Sequence, residues 1–120
     1  NTKKIPLYSP TLIFNYNFAN KELKLERYEV AIIGAGNMGG AIARGWANGH
    51  YIQAQEISVS NPSAGKLDAL KAEFPAIHVT HSNKEAAEDA DIIIIAVKPW
   101  KVEEVLKPLR LRGPQILVSV

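Results

Sequence analysis

Gly34-Ala35-Gly36-Asn37-Met38-Gly39 decides the fold of this chain. The complete G-x-G-x-x-G follows the apolar run Val30-Ala31-Ile32-Ile33 and opens a helix-like stretch from Asn37. Between a strand and a helix, this pattern is the fingerprint of a turn that cradles a dinucleotide pyrophosphate. The three glycines serve different ends. Gly34 turns the chain sharply, Gly36 lets the backbone approach the anion, and Gly39 lets helix and strand pack closely. The N–H groups around Asn37 and Met38 lack intrahelical partners and lie at the positive end of the helix dipole, so the phosphate belongs there. The Met38 side chain reads differently. With Ala41, Ile42 and Gly45 it recurs at helical spacing and is expected in the core. Arg44 reads as a solvated or paired surface charge, and Trp46 as packing.

Outward from the turn, strand-like and helix-like segments alternate, the pattern of a parallel sheet covered by helices. Strands are expected near Glu29–Ile33, Ile57–Ser60, Ile77–Thr80, Asp91–Val97 and Gln115–Val120, and helices near Asn37–Asn48, Ser63–Phe74, Asn83–Glu88 and Trp100–Leu106. The run from Asp91 is so apolar that both its faces must be buried. Gly49 follows the first helix and Pro75 the second, Ser82 with Glu85 forms a capping box before the third, and Pro108 limits the fourth. The predicted fold is α/β, a Rossmann-type doubly wound parallel sheet in a single NAD(P)-binding domain over residues 30–120. Residues 1–29 form an N-terminal extension without helical period. Leu23 and Leu25 alternate with charged neighbours until the phase breaks at Arg27, so the extension is expected to be mobile or strand-forming, with no compact element of its own.

Composition bounds the function. The 120 residues are 47% hydrophobic and 22% charged, which suits one ordinary globular core. The net charge of +2 sits in residues 1–29, where five basic residues face three acidic ones, leaving the body neutral. A neutral body has no field for tracking phosphate backbones, which argues against a nucleic-acid partner. The absence of cysteine excludes thiolate catalysis and fits a cytoplasmic location. The longest apolar run, Ile92 to Val97, is far too short to span a bilayer, so no membrane role is expected.

The type of dinucleotide is read at the end of the second strand, where an NAD site places Asp or Glu against the ribose 2′-OH. Here Ser58-Val59-Ser60-Asn61-Pro62-Ser63 brings no acid, and Glu56 lies at the opposite end of the strand, outside the crevice. Ser60, Asn61 and Ser63 can donate to a 2′-phosphate and Lys66 can supply charge, which favours NADP(H) over NAD(H). Asn61-Pro62-Ser63 also suits a plain turn and helix cap. The fourth strand ends in Ala96-Val97-Lys98-Pro99-Trp100, at the sheet edge where ligands of open α/β folds bind.

Four blocks in order, Ile33 to Gly39, Ala41 to Gly45, Ser82 to Ala86, and Ala90-Asp91 leading into Ala96 to Pro99, resemble pyrroline-5-carboxylate reductases from Val30 to Val120. The resemblance implies NADPH or NADH as cofactor, Ser60–Ser63 by the adenosine ribose, and Asn83 beside the adenosine portion. It places Ala96, Val97, Lys98 and Pro99 at the nicotinamide end. It further implies reduction of the C=N bond of 1-pyrroline-5-carboxylate to L-proline by hydride transfer. In that family a helical C-terminal domain follows, forms the dimer and supplies most of the substrate pocket. The chain is therefore expected to be a cofactor half truncated before that domain, inactive alone and part of a homo-oligomer. No acid–base catalyst is legible. His78 and His81 have no acidic cluster that would suggest a metal, His50 has no partner, and Asp89 and Asp91 read as edging the fourth strand. Two rival readings share this cofactor domain: a dehydrogenase or reductase of the 6-phosphogluconate or F420-dependent NADP type, and a non-catalytic NADP sensor.

Overall fold

The computed structural model describes residues 2–6, 13–17, 22–26, 28–49, 52–111, 113 and 115–120. Three short antiparallel strands come first: β1 (Thr2–Pro6), β2 (Ile13–Asn17) and β3 (Glu22–Glu26), paired in the order β1-β2-β3. Lys4 stands opposite Asn15, and Asn15 opposite Lys24. The residue pattern alone predicts no compact element here. Five-residue strands rich in Lys and Asn carry little local signal, and it is the ladder between sequence neighbours that organises them.

A second sheet follows. Its elements are β4 (Val30–Ile33), α1 (Asn37–Ala47), β5 (Ile57–Ser60), α2 (Ala64–Glu73), β6 (His78–Thr80), α3 (Asn83–Ala87), β7 (Ile92–Ile95), α4 (Val102–Leu106) and β8 (Ile116–Ser119). All pairings are parallel, in the order β6-β5-β4-β7-β8. The chain builds outward from β4 to β6, then returns to place β7 on the other side of β4. The strand order therefore reverses between β4 and β7, where open α/β sheets leave a crevice.

The continuous apolar character of β4 and β7 follows from cover on both faces. Val30, Ile32, Ile57 and Val59 pack with Ala43, Leu67, Leu70 and Ile77 on one side. Ala31, Ile33, Ile93 and Ile95 pack with Ala86, Ala87 and Ala90 on the other. Each fully buried Ile or Val contributes about 1.5–3 kcal/mol relative to exposure, so these two layers dominate the stability. The edge strand β8 is different: Ile116, Leu117 and Val118 are all exposed.

Several local expectations are corrected. The buried face of α1 carries Gly39, Gly40 and Ala43, with Ile42 and Trp46 partly buried against the core. Met38 is 58% exposed, and Ala41 and Gly45 face solvent, so the core stripe is shifted by one residue from the predicted one. Gly49 donates its N–H to the Trp46 carbonyl at 3.0 Å without entering the left-handed region. Only half of the capping box forms. Ser82 Oγ accepts the Glu85 N–H at 3.1 Å, but the Ser82 N–H donates to Thr80 Oγ1 and the Glu85 carboxylate turns to His78. The fourth strand of the parallel sheet ends at Ile95, although the Ala96 N–H still donates to the Ile33 carbonyl at 2.8 Å. Pro99–Lys101 form a 3-10 turn that delays α4 to Val102. Asp91 edges the sheet as expected, its Oδ2 accepting the Glu29 N–H at 2.8 Å. His50 lies outside the described residues.

Candidate functional site

The carboxyl ends of β4, β5 and β7 converge on Gly34. Its φ of +108° lies where side chains are strained, and a Cβ there would come 2.5 Å from the Ala96 carbonyl oxygen. Its N–H donates to the Ser60 carbonyl at 2.8 Å. Gly39 sits directly beneath: a Cβ on it would lie 2.8 Å from the Gly34 carbonyl carbon and closer still to the oxygen. The sharp turn and the close helix–strand packing expected of these two glycines are both present. Gly36 has an ordinary backbone, φ −71°, and a Cβ on it would meet nothing within 4 Å. Its bareness leaves open space above the start of α1.

That space belongs to a cavity of about 880 Å³. Gly34, Gly36, Asn37 and Met38 bound it from the turn, Ser60, Asn61 and Lys66 from the end of β5 and start of α2, Asn83 from α3, and Ala96, Val97, Lys98 and Pro99 from beyond β7. Of the residues expected at the site, Gly39 and Ser63 do not line it. Gly39 is buried under the turn, and Ser63 is an exposed residue whose Oγ accepts from Asn61 Nδ2 at 3.1 Å. The exposed Met38 is on the wall, not in the core, because the first turn of α1 opens onto the cavity.

Ser60 is fully buried, and its hydroxyl donates to Asn83 Oδ1 at 2.7 Å. This bond ties the end of β5 to the first residue of α3 under the cavity. Asn61 Oδ1 accepts the Ala35 N–H at 3.0 Å. Among the described residues, no carboxylate lines the cavity from this end of β5. Glu56, at the other end, is buried, with its Oε1 accepting the Gln53 N–H at 3.3 Å.

Lys101, Glu104, Val105 and Pro108, which the sequence pattern does not place at the site, line the cavity from α4 and its flanks. A signal for them exists: α4 follows directly on the Val97-Lys98-Pro99 turn, so its first residues must stay near the end of β7. Among the described residues, three lysines, Lys66, Lys98 and Lys101, face one carboxylate, Glu104, around the wall, a balance that suits an anionic ligand.

The histidines stand apart from that wall. His78 Nε2 and Glu85 Oε2 are 3.1 Å apart at the rim of a smaller cavity of about 510 Å³ at the amino ends of the strands. A hydrogen bond from Thr80, and then one from His78, hold the Glu85 carboxyl below its ordinary value. His81 Nδ1 lies 2.9 Å from the Asn61 carbonyl oxygen, in position to donate to it. Arg44 is a surface residue whose Nε donates to Glu73 Oε1 at 2.8 Å.

A parallel sheet with reversed strand order and a glycine turn at the switch point is a Rossmann-type α/β domain. The chain belongs to the family described as NADP oxidoreductase, coenzyme F420-dependent, whose model matches residues 29–120. It is 40% identical over 87 residues to the pyrroline-5-carboxylate reductase of Vibrio alginolyticus, covering 72% of this chain and 31% of that protein. Among solved structures it superposes on a pyrroline-5-carboxylate reductase from Coxiella burnetii with a TM-score of 0.69 and 33% identity, over 78% of this chain and 35% of the other. The Plasmodium falciparum pyrroline carboxylate reductase with NADP bound gives a TM-score of 0.62 at 29% identity, over 78% and 33%. The chain thus spans about a third of the length of the relatives it matches. No helix among the described residues is long and apolar enough to cross a membrane.

Proposed function

We propose that this chain is the NADP(H)-binding domain of a pyrroline-5-carboxylate reductase, which reduces the C=N bond of 1-pyrroline-5-carboxylate to L-proline. The observation that carries the reading is the meeting of the glycine turn with Ser60, Asn83 and Lys66 around one cavity. The residues fit the cofactor: open space over Gly36 for a pyrophosphate, lysines for its charge, and no acid on the cavity wall at the end of β5 to repel a 2′-phosphate. NAD(H) fits the same turn without using Lys66. When bound, the reduced nicotinamide supplies the hydride that reaches the imine carbon while the nitrogen takes a proton. The part of this chain is orientation. The N–H groups at the start of α1 would hold the pyrophosphate, and Ala96 to Pro99, which line the same cavity, would bound the nicotinamide end. The whole enzyme is proposed to act in the cytoplasm as a homo-oligomer, its substrate pocket completed by sequence beyond the matched region.

An F420-dependent NADP oxidoreductase is the second reading, favoured by the description of the matching family and using the same cofactor cavity. The test is the full-length polypeptide supplied with 1-pyrroline-5-carboxylate and NADPH. Proline formation with matching loss of NADPH absorbance supports the first reading. NADPH bound but oxidised only by a deazaflavin supports the second.

A further inference from the structure

Asn61 is joined to three neighbouring segments at once. Its Oδ1 accepts the Ala35 N–H at 3.0 Å inside the glycine turn. Its Nδ2 donates to Ser63 Oγ at 3.1 Å and to the Ser63 carbonyl at 3.3 Å, at the start of α2. Its backbone N–H donates to the Thr80 carbonyl at 3.2 Å, at the end of β6. By residue type Asn61 is a direct donor to a 2′-phosphate, yet both ends of its amide are already engaged within the protein.

We propose that Asn61 is a positioning residue that acts through Ala35. Its Oδ1 holds the Ala35 N–H and so fixes the glycine turn in the form that presents the N–H groups at the start of α1 to the cavity. The same bond fixes the spacing between the glycine turn and the ribose end of the cavity, because Asn61 lies 26 residues from Ala35 and spans from β5 to the turn. The charge a 2′-phosphate needs then falls to Lys66 on the cavity wall.

The two ends of the amide separate in their consequences. An aspartate at 61 keeps the acceptor that Ala35 needs, the Ser63 hydroxyl can turn to donate to it, and the Ser63 carbonyl, which loses its donor, is at an exposed position open to water. It also sets a negative charge beside the place proposed for the 2′-phosphate. An alanine at 61 removes the acceptor and adds no charge. Placement of the turn is thus carried by Oδ1, and the other end of the amide bears on the cofactor only by bringing no negative charge to the place proposed for the 2′-phosphate.

The inference rests on the proposed NADP(H) site, and calorimetry on the full-length polypeptide at one ionic strength separates the two. Asn61→Ala is expected to weaken NADPH and NADH alike, by about tenfold, the scale of one lost hydrogen bond. Asn61→Asp is expected to restore NADH to within about threefold of the unsubstituted protein, while NADPH falls by about a hundredfold through like-charge repulsion. The recovery of NADH from Asn61→Ala to Asn61→Asp reads the acceptor that Ala35 needs, because an added negative charge by itself strengthens neither cofactor. Unaltered binding in Asn61→Ala, or equal loss of both cofactors in Asn61→Asp, overturns the inference and leaves the cofactor site standing. Should Asn61→Ala fail to fold, NADH binding in Asn61→Asp decides alone: kept within about threefold it supports the inference, and lost by about tenfold or more it overturns it. Failure of the unsubstituted protein to bind either cofactor overturns the site and the inference together.

Discussion

The carbonyl of Gly34 fills the space where a side chain on Gly39 would begin. The first and last glycines of the motif are therefore each other's constraint, and ligand contact is not needed to explain Gly39. Gly39→Ala must push α1 off β4, a backbone shift that costs about 1–3 kcal/mol. Gly36→Ala meets open space at a backbone any residue adopts, so its stability should stay within about 0.5 kcal/mol of the original. Urea unfolding measures both, and NADPH titration should show a loss in Gly36→Ala that stability does not explain. Equal destabilisation by the two substitutions would count against this division.

Ser60 and Asn83 form a second pair whose removal should show coupling. Ser60→Ala leaves Asn83 Oδ1 without its donor, at a cost of about 1 kcal/mol, and frees the Asn83 amide to rotate at the cavity wall. Weaker NADPH binding is expected in Ser60→Ala and in Asn83→Ala, with the double variant no weaker than Asn83→Ala alone. Additive losses would mean that the two residues serve the site independently.

These cases show which parts of the site the sequence discloses. The glycine turn is legible because its constraint is local: a strand, a bend and a helix start lie within ten residues, each with its own residue preferences. The two-faced burial of β4 and β7 is legible because continuous Val, Ile and Ala leave no polar face. The exposure of Met38 is not, since helical spacing gives a stripe and not the direction in which the first turn opens. Glu85 fits a capping box by spacing, but Thr80 and His78 on β6 compete for its carboxylate, and that strand reaches it only through the fold. Asn61 reads as an available donor until Ala35, 26 residues away, is brought to its Oδ1.

Lys66 should carry the discrimination between cofactors. It lines the cavity together with Asn61 and Ser60, a stretch of wall without a carboxylate. Lys66→Ala is expected to weaken NADPH by about tenfold and NADH by less than about twofold. The difference should shrink as salt is raised, because an exposed charge is screened. Equal effects on the two cofactors would move the 2′-phosphate to another cation on the wall.

Arg44 provides the contrasting case. Its ion pair with Glu73 joins α1 to α2, but the two side chains are 40% and 51% exposed, so the pair is worth at most about 1 kcal/mol. Arg44→Ala should shift the unfolding midpoint slightly and leave NADPH affinity unchanged. A marked loss of cofactor binding would give this helix position a role that its geometry does not suggest.

The pH dependence of stability should carry the mark of Glu85. Its carboxyl is held below the ordinary 4.5 by hydrogen bonds from Thr80 and then His78. A carboxyl whose folded value is depressed contributes stability that is fully present above its unfolded value and is lost as pH falls through the folded one. The contribution should therefore be intact at neutral pH and fade on the acid side, from about pH 5 downward. Glu85→Gln keeps the shape of the side chain and the N–H that Ser82 accepts, but it removes the titration. Denaturant unfolding from neutral to acid pH should show the original chain more stable than the variant at neutral pH and the two curves converging in acid. Curves that stay parallel would mean that Thr80 and His78 stabilise the charged carboxylate no better than water does.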